Sequence, residues 1–265
     1  MTEYEATQKQ RYIERKIHKY KREVVEGYSS KPKKSGKAED KSKEIVAKGE
    51  NSSIIEMYRG KGIDVTSDSQ ISSKTIKQVK MATKKVTSDF KALESYSEPI
   101  VFGDVDGGLA NNDYDPKTGL NIITLRKADF ANPDSLLEKL KRDFISGDSY
   151  ETDSIQSLVA HEMGHNAHVA LALKRTHLPY GVPLTPEQES TFKEEYNKIS
   201  QEIYIAAFDK EPYTEIQSMC ISELGSTTNR NPRELIAQSF GNYYFGKEKS
   251  KIAKRIVTYF MKGLK

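Results

Sequence analysis

Residues Ser157–His168, reading Ser-Leu-Val-Ala-His-Glu-Met-Gly-His-Asn-Ala-His, carry the pattern that most constrains this chain: His-Glu-x-x-His inside an amphipathic helical run. Residues four apart on a helix share a face about one turn apart, so the imidazoles of His161 and His165 can converge on one ion. Zn²⁺ accepts imidazole nitrogen at roughly 2.0 to 2.1 Å, which suits that spacing. Glu162 sits one position round, where it can take a proton from a water whose pKa the ion lowers.

Two His and a water leave one protein ligand to be supplied in a catalytic tetrahedral site. His168 is on the same face as His161 but two turns on, about 10 Å along the axis, and a straight helix cannot bring all three rings to one ion. No Gly follows in VALALKR to break the helix and return a later His, which leaves His168 a supporting, substrate-side or surface role. Glu234 is better placed, early in a downstream helix within Asn231–Phe240, with Glu223 as the alternative. Asn231 as N-cap, Pro232 at the first helical position and Glu234 at the third also spell a capping box, which by itself accounts for all three residues.

The charge is unevenly distributed. Residues 1–50 carry 14 Lys/Arg against 9 Asp/Glu, whereas residues 51–265 carry 28 against 29. The basic balance therefore belongs to the N-terminal segment, and no aromatic stacking platform or groove-reading motif accompanies it, which argues against nucleic acid as a partner. Cys220 is the single cysteine, so no intrachain disulfide forms, and a catalytic thiol has no motif behind it. No run approaches the roughly 18 apolar residues of a membrane span, and the charged start does not read as a signal peptide. These features place the chain outside the membrane.

Taken in order, Tyr4 to about Val25 reads as a helix with an apolar seam at Ile13, Ile17, Tyr20 and Val24, suited to a partner helix. Residues 1–28 are thus a basic amphipathic helix, and 29–44, rich in Lys, Ser and Gly, are a flexible linker. Residues 45–265 form the second unit. Within it a helix follows possible caps at Ser72 and Ser73 and runs to about Glu94. Strands are expected at Pro99–Gly103 and Leu120–Leu125, as antiparallel neighbours across a turn-rich Gly107–Gly119. Asp104, Asp106, Asp113 and Asp115 in that loop lack EF-hand spacing, so ordinary turn chemistry is favoured over Ca²⁺. Helices follow at Pro133–Ile145, at the zinc-binding segment capped by Asp153 or Ser154, and from Thr185-Pro186 to Phe208. Three more are expected at Pro212–Leu224, Pro232–Phe245 and Glu248–Lys262. The fold class is α+β: a small mixed sheet, the His-Glu-x-x-His helix and a mainly helical C-terminal subdomain.

Two resemblances extend this. Tyr4–Lys21 is similar to a tract of phage minor capsid (minor head) proteins of the second type. In that family the tract lies inside a longer protein, which implies a truncated product or a C-terminal portion. Asn231–Phe240 resembles the third-ligand segment of gluzincins, in particular lethal-factor-like metallopeptidases and metallopeptidase domains attached to phage head proteins. There an acidic residue often stands where this chain has Gln238.

The resemblances imply a zincin-like, zinc-dependent metallopeptidase with His161, His165 and Glu234 on Zn²⁺ and Glu162 as general base. Its partners would be a peptide or protein substrate and, through the N-terminal helix, other phage head proteins. Its place would be the virion or the host cytoplasm. The substrate would add as a strand beside Leu120–Leu125 if that is a free edge. Tyr213, Tyr243, Tyr244 and His177 are the available oxyanion donors. A non-catalytic virion protein with a zincin-like domain, and a phage-delivered metalloprotease toxin, share these ligands.

Overall fold

The computed structural model describes residues 63–66, 68–106, 108–146, 154–208, 231–246 and 250–265. All lie in the unit Ile45–Lys265. The expected helices at Tyr4–Val25 and Pro212–Leu224, the linker, Asp153, Tyr213, Cys220 and Glu223 fall outside the described residues.

Helix α1 (Ser73–Asp89) begins where the Ser72 hydroxyl accepts the Thr75 N–H, and it buries Val79, Ala82 and Val86. It ends sooner than its periodicity suggests: the chain leaves α-geometry at Phe90 and continues as a 3₁₀ turn, Lys91–Ser95. The fully buried Phe90 ring packs 5.3 Å from Phe240 there. Tertiary packing of one aromatic ring thus sets the end of the helix.

Three strands follow, β1 (Val101–Gly103), β2 (Ala110–Asp115) and β3 (Leu120–Arg126), in the spatial order β1-β3-β2. Two expectations are corrected. β1 and β3 are parallel, with Val101 opposite Thr124, not antiparallel. The stretch expected as a loop contains β2, antiparallel to β3 with Tyr114 opposite Asn121. β3 is therefore the central strand, not a free edge, and among the described residues β2 is an edge. Alternate residues of β3, Asn121, Ile123 and Leu125, are buried, and the α4 helix packs over β2 and β3.

Two short helices, α2 (Lys127–Phe130) and α3 (Pro133–Ser146), lead to the long α4 (Ile155–Thr176), whose N-terminus is capped by the Ser154 side chain. Burial extends around most of its circumference, because α1, α5, α6 and the sheet all pack on it. α5 (Pro186–Phe208) starts with reciprocal bonds: the Gln188 N–H donates to Thr185 Oγ1 and the Thr185 N–H to Gln188 Oε1. This is the capping box that Thr185-Pro186-Glu187-Gln188 spells. The last described helices are α6 (Pro232–Phe245) and α7 (Lys251–Gly263), and Phe240 meets Phe260 between them at 5.7 Å. The described unit is a mixed α+β fold, mostly helical, with one small sheet.

Among the described residues no helix is long and apolar enough to cross a membrane.

Candidate functional site

α4 and α6 run against each other at unusually short range, and two glycines permit it. A Cβ on Gly164 would meet Ala237 Cα at 2.8 Å, and one on Gly241 would meet Ser157 Oγ at 2.9 Å. Contacts below 3.0 Å with backbone force the helices apart, so the pair needs glycine at the position facing Ala237. The consequence is chemical. Close approach brings the first turn of α6 over the face of α4 that carries His161 and His165.

There Glu234 Oε2 lies 3.5 Å from His161 Nε2, and Glu234 Oε1 lies 3.7 Å from His165 Nε2. One ligand atom from each residue falls within 4.8 Å of the others, the one such group of three among the described residues. The N···O separations exceed hydrogen-bond range. They match a different requirement: bonds of about 2.0 to 2.2 Å at tetrahedral angles set ligand atoms about 3.4 Å apart. The two Glu234–imidazole separations are thus of the size that a shared Zn²⁺ would set. The capping alternative for Glu234 is weakened by the same geometry. Asn231 Oδ1 accepts the N–H groups of Arg233 and Glu234, but the Glu234 carboxylate is turned to the imidazoles.

Burial sets the electrostatics. It lowers the His161 pKa to about 4, against an opposing hydrogen bond to Gln238. It lowers His165 to about 3, helped by His161. Both rings are therefore neutral near pH 7, the form that ligates a metal. Glu162 is also buried, and desolvation together with the Glu234 charge raises its carboxyl to about 8. Glu162 is therefore protonated near pH 7 in the metal-free chain, and a cation on the adjacent ligands would lower its pKa towards the ionised form that a general base needs.

Gln238, one turn beyond Glu234, is 3 % exposed and is the hydrogen-bonding neighbour of the His161 ring. An amide stands here where the resemblance has an acidic residue. The small residues Gly164, Ala237 and Gly241 were a legible sign of the close helix pair. The Gln238 contact had no such sign.

His168 is placed apart from the group. Its ring stacks on Tyr196 with centroids 3.6 Å apart, and Nε2 donates to the Tyr196 carbonyl at 2.8 Å. It therefore holds α5 on α4, in line with the helix-geometry argument against it as a ligand. One residue beyond His165, Asn166 is fully buried: Asn121 Nδ2 donates to its Oδ1, and its Nδ2 donates to Ser97 Oγ. These bonds tie the site helix to β3 and to the segment before β1.

Three of the oxyanion donors considered lie elsewhere. His177, at φ 54°, is the left-handed C-cap of α4, about 18 Å along the axis from His165. The Tyr244 hydroxyl donates to Asp89 at 3.0 Å, and Tyr243 packs edge-on to Tyr244. The acidic loop forms no metal cluster among the described residues, and Asp115 Oδ1 accepts the Lys117 N–H in a turn.

Comparison with protein-family models, curated proteins and solved structures gave no match to the chain.

Proposed function

We infer that this chain is a zinc-dependent peptidase of the glutamate-ligand type. The observation that carries the inference is the convergence of His161, His165 and Glu234 within 4.8 Å, at separations suited to tetrahedral Zn²⁺, with a buried Glu162 beside them. A small sheet with an edge strand over the His-Glu-x-x-His helix supports a zincin-like assignment of the α+β fold.

When bound, Zn²⁺ supplies Lewis acidity that polarises a carbonyl and acidifies a water. The protein residues do the rest. His161 and His165 present neutral Nε2 atoms. Glu162, ionised once the cation's charge has lowered its pKa, would accept the water proton and later deliver it to the departing amine. The peptide would pair with β2, whose outer edge carries no strand partner among the described residues. This replaces the expectation of docking at Leu120–Leu125. The phage minor capsid resemblance of Tyr4–Lys21 supports a virion setting, with head proteins as partners of that segment.

The deciding experiment pairs metal analysis of the purified protein with cleavage of a mixed peptide library by wild type and Glu162→Gln. The expected result is one zinc per chain in both and cleavage by wild type alone. Bound zinc without cleavage by wild type leaves a zinc-binding virion protein and ends the peptidase reading.

A further inference from the structure

Arg233 immediately precedes Glu234 in the first turn of α6. Its guanidinium carbon lies 4.7 Å from the centre of the Tyr196 ring, the same ring that stacks on His168. His168 follows His165 by three residues, so it continues the histidine face of α4 by about 4.5 Å along the axis. The cation is thereby fixed just beyond the histidine pair, and its charge is felt at both His165 and His168.

Beyond the face of Tyr196, no group of the described residues takes up that charge. Arg233 is exposed, and no carboxylate of the described residues pairs with it. Nor does it serve the helix, because a cation in the first turn opposes the helix dipole. The cluster opens to solvent on the same flank: the Glu234 side chain is 31 % exposed and that of His165 17 %, against 5 % for His161. A planar fork of donors, held on an aromatic face at the open side of the cluster, is arranged to take a carboxylate bidentately.

We propose that Arg233 is a specificity-determining subsite that binds a carboxylate of the substrate peptide next to the scissile bond. This rests on the peptidase reading. The carboxylate can come from an Asp or Glu side chain or from a free C-terminus, and the test separates the two.

Fluorescence anisotropy on the zinc-loaded Glu162→Gln chain would compare three labelled peptides of one sequence: one with an internal Glu, one with Gln there, and both blocked by a C-terminal amide, plus the Gln peptide with a free C-terminus. Arg233 binding predicts about tenfold tighter binding of whichever carboxylate peptide is the true ligand. Arg233→Gln should erase that preference, and Arg233→Lys should retain part of it. Cleavage by the otherwise wild-type chain should change in parallel, through KM more than kcat. Wild type that cleaves the amidated Gln peptide as well as the others, or a preference that survives Arg233→Gln, overturns the subsite and leaves the peptidase standing. Absence of both zinc and cleavage overturns the two together.

Discussion

Gly164 of α4 faces Ala237 of α6 so closely that a methyl group in its place would sit 2.8 Å from Ala237 Cα. Gly164→Ala brings two opposed effects. Alanine favours an isolated helix by about 0.8 to 1 kcal/mol, but overpacking against backbone costs about 1 to 3 kcal/mol and has no flexible side chain to yield. The clash is expected to win. Urea denaturation should show a net loss of about 1 to 2 kcal/mol, and a chelator competition should show weaker zinc binding, because Glu234 rides on the displaced helix. Unchanged zinc affinity would mean that helix spacing does not govern the cluster.

Glu234→Gln removes a charged ligand while Asn231 still caps α6. Zinc affinity should fall by more than about a hundredfold, with melting of the metal-free protein nearly unaltered. Equal zinc retention in wild type and Glu234→Gln would move the third ligand away from α6.

The metal-free protein should be most stable between about pH 6.5 and 7. His161, His165 and His168 are held at about 4, 3 and 3 against an ordinary value of 6.5, mainly by burial. Below pH 6.5 the unfolded chain therefore binds protons that the folded chain refuses, and stability is lost as pH falls towards 3. Glu162 works in the other direction. Its folded value of about 8 against 4.5 means that the folded chain keeps a proton the unfolded chain has released, so stability declines as pH rises across that interval. Three imidazoles outweigh one carboxyl on the acid side. Thermal melts in chelator should show both limbs, and Glu162→Gln should abolish only the alkaline one, leaving the variant at least as stable as wild type at pH 8. A melting temperature that climbs from pH 7 to 8 in wild type contradicts the assignment.

Asn166→Leu strands two partners at once, the Asn121 amide and the Ser97 hydroxyl, both buried. Each orphaned group costs about 1 to 3 kcal/mol. A loss of about 2 kcal/mol or more is expected in denaturant melts, whereas Asn166→Leu combined with Asn121→Leu should recover part of it.

The helices were legible because their signals are local. Ser72, Ser154 and the Thr185–Gln188 pair start them where their side chains can bond their own first turns. The sheet was not. β2 reads Ala-Asn-Asn-Asp-Tyr-Asp, with no β-branched residue, and is a strand only because its backbone pairs with β3. Polar and acidic residues are common on edges, where they discourage pairing with stray chains. The parallel partnership of β1 with β3 depends on contacts across some twenty residues, which no local pattern encodes. At the site, spacing singled out His161, Glu162 and His165, and the resemblance of Asn231–Phe240 to a gluzincin segment pointed to Glu234. Gln238 and Arg233 became visible only through what they touch.

The envelopment of α4 also has a bearing on how the chain comes to fold. Leu158, Val159, Met163 and the run Ala167–Leu173 point in every direction around that helix, and part of its cover, α6 and α7, is synthesised only later, over Pro232–Gly263. A nascent chain that has reached the histidines still exposes a sticky apolar rod with no carboxylate opposite them. Collapse onto a wrong partner is the hazard during that interval, and assembly of the cluster is a late event, completed when Glu234 arrives on the helix that also seals the core.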